Sequence, residues 1–136
     1  MLKSVDLSHY MEPDPEAVAP SASLFAAMDI ILREGISGLC VVDEKRRLLG
    51  VLSEMDCLKT ILSCTYNDVC NLGMVADYMT TEVDVVQRHA DVVNVAELML
   101  KNSRRRMPVV ENGILVGQVT CRRLLRAVRD FNRSTV

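Results

Sequence analysis

"MPVVENGILVGQVTCRRLL", Met107–Leu125, has an earlier counterpart in "LCVVDEKRRLLGVLSEMDCL", Leu39–Leu58. Each stretch holds two short apolar runs around a polar turn, and the second run leads into a charged, amphipathic segment. The turn of the later copy contains Asn112-Gly113, a strong two-residue hairpin signal, so the flanking runs read as paired strands. From within the second run of each hairpin come Gly, an apolar residue, a hydroxyl and a closing Leu: "GVLSEMDCL" (Gly50–Leu58) and "GQVTCRRLL" (Gly117–Leu125). Ser53 and Thr120 stand where a helix N-cap belongs. One charge inside the match is reversed, since Asp56 is replaced by Arg123.

The match extends outward in both directions. Sliding the chain against itself by 68 residues puts "YMEPDPEAVAPSA" (Tyr10–Ala22) over "YMTTEVDVVQRHA" (Tyr78–Ala90), and "SLFAAMDIILREG" over "DVVNVAELMLKNS". Each copy begins with a short extended segment, around Ala17–Ala19 or Val83–Val86, followed by an amphipathic helix. In the first copy Ser21 or Ser23 caps that helix, and Leu24, Ala27, Met28 and Ile31 share one face at i, i+3, i+4 and i+7. Gly35 sits where a helix C-terminus favours positive φ. Asp91 caps the counterpart helix, which ends near Asn102. The order strand, helix, strand, strand, helix therefore occurs twice, which predicts an α/β (α+β) fold. Its repeats span residues 5–65 and 76–131, with a connector at 66–75. A unit of about 60 residues buries little by itself. The two copies are thus expected to pack together with pseudo-twofold symmetry, leaving a cleft between them for a ligand.

Composition narrows the functional classes. Hydrophobic residues make up 49% of the 136 and charged residues 25%, which is the balance of a soluble globular protein. No apolar run approaches the roughly 20 residues needed to span a bilayer, and Met1–Tyr10 lacks the order of a signal peptide. A cytoplasmic protein without membrane association is expected. Five cysteines at 40, 57, 64, 70 and 121 form no CxxC motif, and Cys40, Cys57 and Cys121 read as buried small hydrophobes. His9 and His89 read as surface histidines. No nucleophile, metal cluster or acid/base pair stands out, so an enzyme is not expected. Residues 1–68 carry 6 Lys/Arg against 11 Asp/Glu, and the remainder carry 10 against 7. Arg122, Arg126, Arg129 and Arg133 recur at helical spacing as a basic stripe, read by default as a solvated face. With five aromatics and net charge −2, dedicated nucleic-acid binding is poorly supported. Met28, Met55, Met79, Met99 and Met107 fall on apolar faces and suit packing or dimer contacts.

The duplicated framework, with "VADYMTTEVDVV", "MPVVENGILVG" and a hydroxyl residue opening the helix after each hairpin, resembles a tandem pair of cystathionine-beta-synthase (CBS) domains over roughly Val5–Phe131. The resemblance implies a non-catalytic, stand-alone regulatory module that binds an adenosine-containing ligand in the cleft between repeats. The candidate ligands are AMP, ADP, ATP, S-adenosylmethionine and NAD. It also implies homodimerisation and a separate regulated partner protein, since the chain has no room for an attached enzyme or channel.

The same resemblance distributes roles among residues. Ser53 and Asp56 take the phosphate and the ribose hydroxyls, and a helix N-terminus favours an anion on electrostatic grounds. The base-contacting backbone comes from the segment Thr80–Val83, including Thr81, and from Arg104, Arg105 and Arg106. Of these, Arg105 and Arg106 map onto a basic pair that reaches phosphates. Thr120, Arg122 and Arg123 form the mirror half-site, but a guanidinium has donors only and cannot accept ribose hydroxyls. One adenosine site per chain, at Asp56, is therefore expected. Two other readings stand beside this one. Ser53-x-x-Asp56 is also a helix capping box, which suits a ligand-free dimeric interaction module. The Arg-rich second half alternatively suits a nucleic-acid or anion binder.

Overall fold

The structure is a computed structural model and describes residues 5–66 and 72–135. In chain order the elements are β1 (Glu12–Pro13), β2 (Ala17–Val18), α1 (Leu24–Glu34), β3 (Gly38–Val42), β4 (Leu48–Ser53), α2 (Glu54–Tyr66), β5 (Val86–Gln87), α3 (Val92–Lys101), β6 (Arg106–Glu111), β7 (Ile114–Thr120) and α4 (Cys121–Thr135). Short 3-10 turns lie at Leu7–His9 and Val75–Asp77. The expected order of strand, helix, strand, strand, helix is present twice, from β2 to α2 and from β5 to α4. β1 and the two 3-10 turns were not anticipated, and the segment expected as extended from Val83 is a strand only at Val86–Gln87. Part of the expected connector, residues 67–71, lies outside the described residues.

Local chemistry accounts for the element ends. Ser23, rather than Ser21, caps α1, its Oγ accepting the Ala26 N–H at 3.0 Å. Gly35 ends that helix at φ 63°, and Asp91 caps α3 through the Val93 N–H at 2.7 Å. Asn112 and Gly113 both have positive φ, 53° and 81°, as a two-residue hairpin turn demands.

The chain forms two compact units, residues 16–83 and residues 1–15 with 84–136. The first holds the sheet β2-β3-β4, with β2 parallel and β4 antiparallel to β3. Its core contains Val18, Leu24, Ala27, Ile31, Leu39, Val41, Leu52 and Val75. The second holds the sheet β1-β7-β6-β5, with β5 parallel to β6 and β7 antiparallel to both β6 and β1. Its core contains Val86, Val92, Val95, Met99, Met107, Val109, Val119 and Leu7. Seven of these pairs lie 68 residues apart, and Leu52 and Val119 lie 67 apart after the shortened turn. Eight positions of the two cores thus repeat each other, and the second core adds Leu124 and Ala127 of α4. Leu7 and Val75 also show that the segments leading into β2 and β5 are each buried among the helices and strands of the other copy.

Several side chains depart from expectation. Cys40 is buried, but Cys57 is only half-buried and Cys121 is exposed, because Cys121 opens α4 on its outer side. Met99 and Met107 are in the core of the second unit and Met28 and Met79 pack against that of the first, whereas Met55 is 73% exposed on α2. His89 is exposed but not unpartnered, its Nδ1 lying 2.8 Å from Asp6 Oδ2.

Candidate functional site

The start of α2 is built by three pieces of chain from one compact unit. β4 delivers Ser53 to the cap position, and its hydroxyl accepts the Asp56 N–H at 3.0 Å. Asp56 Oδ2 in turn accepts the Ser53 N–H at 3.0 Å, completing the reciprocal pair of a capping box. The third piece is the segment following Val75–Asp77, which pairs with β4 through Thr80 N–H to the Val51 carbonyl and Val51 N–H to the Thr80 carbonyl, both at 2.9 Å. This approach explains Gly50, since a Cβ there would stand 2.5 Å from the Thr80 carbonyl oxygen. It also brings the Thr80 hydroxyl to 3.3 Å from both oxygens of Asp56.

Asp56 is 6% exposed, yet it carries an ion pair with the exposed Lys59 Nζ at 3.5 Å. A buried carboxylate needs such partners, because leaving it unpaired in a poorly solvated place is costly. The amides at the helix start are less open than expected. Glu54 N–H donates to the Ser37 carbonyl at 2.9 Å and Asp56 N–H to the Ser53 hydroxyl. Cys57 lies beside this carboxylate, and burial first, then the charges of Asp56 and Glu54, push its thiol up and away from thiolate chemistry.

The other predicted residues distribute as follows. Thr80 meets Asp56 directly, a contact that sequence reading missed because the two are 24 positions apart and no local pattern joins them. Thr81 is exposed and Val83 half-buried in the same unit. Arg104, Arg105, Arg106, Thr120, Arg122 and Arg123 all belong to the unit holding α4. Arg106 opens β6 opposite Thr120, and the Arg105 carbonyl accepts the Cys121 N–H at 3.0 Å, which gathers the basic residues at the start of α4. Arg104 is held by Asp84 at 3.0 Å, so it is fastened to its own unit instead of standing as a loose cation. Arg105 and Arg122 are exposed.

Thr120 caps α4 by accepting the Arg123 N–H at 3.2 Å, but no acid returns the bond. Arg123 Nη1 instead donates to the Met11 carbonyl at 3.4 Å. Next to it Glu12, which occupies the place of Thr80, accepts from Gln118 at 3.1 Å. Gly117 mirrors Gly50, since a Cβ there would stand 2.7 Å from Met11 Sδ and 2.9 Å from the Glu12 carbonyl. Among the described residues no group of His, Cys, Asp and Glu side chains could hold a metal ion, and no helix is long and apolar enough to cross a membrane.

This duplicated arrangement matches a known family model, the CBS domain, at residues 6–63 and again at 75–130. The chain belongs to the CBS-domain family. Among relatives of this CBS-domain pair, an uncharacterized 17.7 kDa protein of Acidianus ambivalens is 30% identical over 116 residues, covering 85% of this chain and 68% of that protein. The CBS domain-containing protein CBSX1, chloroplastic, of Arabidopsis thaliana is 29% identical over 146 residues, covering 89% of this chain and 62% of that protein. The crystal structure of CBSX2 in complex with AMP superposes with a TM-score of 0.82 at 28% identity, covering 93% of this chain and 98% of that one. The mixed α/β architecture with two CBS repeats, expected from the sequence, is therefore the fold of this protein.

Proposed function

We propose that this CBS-domain pair is a non-catalytic sensor that binds an adenosine-containing ligand at the start of α2 and signals to a separate partner protein. The observation that carries the reading is Asp56. It is a buried carboxylate one turn into a 13-residue helix, next to a cap hydroxyl and reached by a second chain segment. A carboxylate is the group that accepts both hydroxyls of a ribose, and a helix N-terminus favours the phosphate attached to it. The AMP complex of CBSX2 supports AMP as the first ligand to try. ADP, ATP, S-adenosylmethionine and NAD share the same ribose and follow it.

The capping box does not compete with this reading. Ser53 N–H occupies one lone pair of Oδ2, and an ionised carboxylate offers about four in all. Self-association is part of the proposal and rests on exposed apolar surface. Met55, Leu58, Ile61 and Leu62 on α2, and Leu125 and Val128 on α4, are each at least half exposed, an unusual load for the outer faces of two helices. The exposed arginines 122, 126, 129 and 133 along α4 favour an acidic partner over nucleic acid, given the chain's net charge of −2.

Calorimetric titration of AMP into the wild type and Asp56→Ala, with sedimentation of the same samples, tests the reading. Saturable binding with about one AMP per chain, lost in Asp56→Ala, is expected from a species of twice the chain mass. Equal binding by both proteins would remove the ribose role of Asp56, and a monomer at all concentrations would remove the dimer.

A further inference from the structure

The Thr80 hydroxyl straddles the Asp56 carboxylate, at 3.3 Å from Oδ1 and 3.3 Å from Oδ2. A vicinal diol bound to a carboxylate places one hydroxyl on each oxygen, so it needs the same stretch of acceptor surface. The carboxylate also accepts the Ser53 N–H on Oδ2 and Lys59 on Oδ1. With the Asp56 side chain only 9% exposed, little of it is left to a ligand that does not move one of these donors. Ser53 N–H is backbone at a helix cap and cannot withdraw without opening the first turn. Lys59 makes a long contact from an exposed side chain and adds charge, not steric blockage. Thr80 alone combines a position across both oxygens with a hydroxyl that a χ1 rotation removes, while its backbone stays paired to Val51 through two hydrogen bonds.

We infer that Thr80 is a built-in competitor for the diol-binding face of Asp56, so that its hydroxyl sets the affinity of this site and selects for ligands that donate two hydroxyls. The inference rests on the adenosine reading above. In the unliganded protein the Thr80 hydroxyl satisfies the carboxylate, and a ribose displaces it and takes over both acceptors. A ligand with a single hydroxyl in that place would break the Thr80 contact without replacing it fully. The other copy supports a paired choice of residues: Glu12 stands where Thr80 does and Arg123 where Asp56 does, and neither can play its counterpart's part.

The test is a calorimetric comparison of wild type, Thr80→Ser, Thr80→Val and Thr80→Ala, each titrated with AMP and with 2′,3′-dideoxy-AMP. Thr80 is exposed and Thr80→Val preserves its shape, so the variants should fold, which circular dichroism checks. Removing the competitor withdraws a hydrogen bond from the free protein only, so Thr80→Val and Thr80→Ala should bind AMP roughly three- to tenfold tighter. Thr80→Ser should stay within about twofold of the wild type. The dideoxy compound, having no hydroxyl to place on the carboxylate, leaves the Thr80 contact unbroken and should gain nothing from the valine. AMP binding that is unchanged or weaker in Thr80→Val and Thr80→Ala, with Asp56→Ala still abolishing it, would overturn the competition and leave the adenosine site standing. Absence of AMP binding to the wild type and to every variant would overturn both.

Discussion

The starts of α2 and α4 descend from one repeated element, yet they solve the same local problem with opposite charges. At α2 the helix supplies the acid, Asp56, and the incoming segment supplies a neutral hydroxyl, Thr80. At α4 the helix supplies a cation, Arg123, which reaches the Met11 carbonyl, while the acid has moved to the incoming segment as Glu12. Both arrangements fasten a crossing segment to the last strand of a hairpin, and both need a glycine beneath it. They differ in the charge held at the helix end. An acid in the first turn agrees with the helix dipole and offers acceptors, whereas an arginine there opposes the dipole and offers donors alone.

The largest difference should appear in stability. Asp56→Ala removes half of a capping box, the anchor for Thr80 and a favourable charge at a helix N-terminus, at a cost of about 2–3 kcal/mol. Arg123→Ala removes one long hydrogen bond and an unfavourable dipole interaction together, for a net change within about 0.5 kcal/mol. Urea unfolding of both variants checks this, and equal losses would mean that the two helix starts are held alike.

A smaller contrast is expected beneath the crossing segments. Gly50→Ala drives a methyl into the Thr80 carbonyl, which is backbone and already paired, for a loss of about 2 kcal/mol. Gly117→Ala meets the flexible end of Met11 first, at 2.7 Å, and the Glu12 carbonyl at 2.9 Å, so a loss nearer 1 kcal/mol is expected. Thermal unfolding that ranks Gly117→Ala as the costlier change would show that the second segment is the tighter one.

The smallest effect is one of acid. Asp6 helps to hold the segment that crosses to β7, and the Ser8 backbone N–H, with His89 beside it, lowers its carboxyl from 3.8 to about 2. A carboxylate lowered on folding stabilises the folded state above its unfolded value, and that contribution is lost as pH falls from 3.8 through about 2. Asp6 is well solvated, so the effect should be local. Hydrogen-exchange protection of the Leu7 amide, which donates to the Ala90 carbonyl, should fall over that window in the wild type. Asp6→Asn should remove this pH dependence and leave the acid response at Val75 as in the wild type. An unchanged response at Leu7 in Asp6→Asn would place the acid-sensitive contact elsewhere.

Much of this molecule was legible in its sequence because the information is local or duplicated. Caps at Ser23, Ser53, Asp91 and Thr120, the Asn112-Gly113 turn and the apolar faces of α1 and α3 follow from spacings of two to seven residues. The repeat doubles each signal, and eight positions of the two cores match, with Leu124 and Ala127 added in the second. Less was legible at the candidate site. Ser53 and Asp56 announced themselves as a capping box, and the resemblance named Thr80 for its backbone, but the contact of its hydroxyl with Asp56 depends on a strand pairing between distant segments. The exposure of Met55 and Cys121 was missed for a related reason. An apolar side chain on an amphipathic helix reads as buried, and only the packed helix shows which edge of its apolar face remains open.

By itself, then, the sequence determined the repeated strand–helix–strand–strand–helix order, the family, and the loss of an acid at Arg123, because these reside in patterns a few residues long. Tertiary structure decided where the segments leading into β2 and β5 are buried, and hence that Leu7 and Val75 each complete a core built from the other copy. It also decided that Asp56 meets a hydroxyl of its own chain. Hydrogen bonds and burial depend on distance in space, and the pairing of Thr80 with Val51 that creates this contact is written in no single stretch of residues.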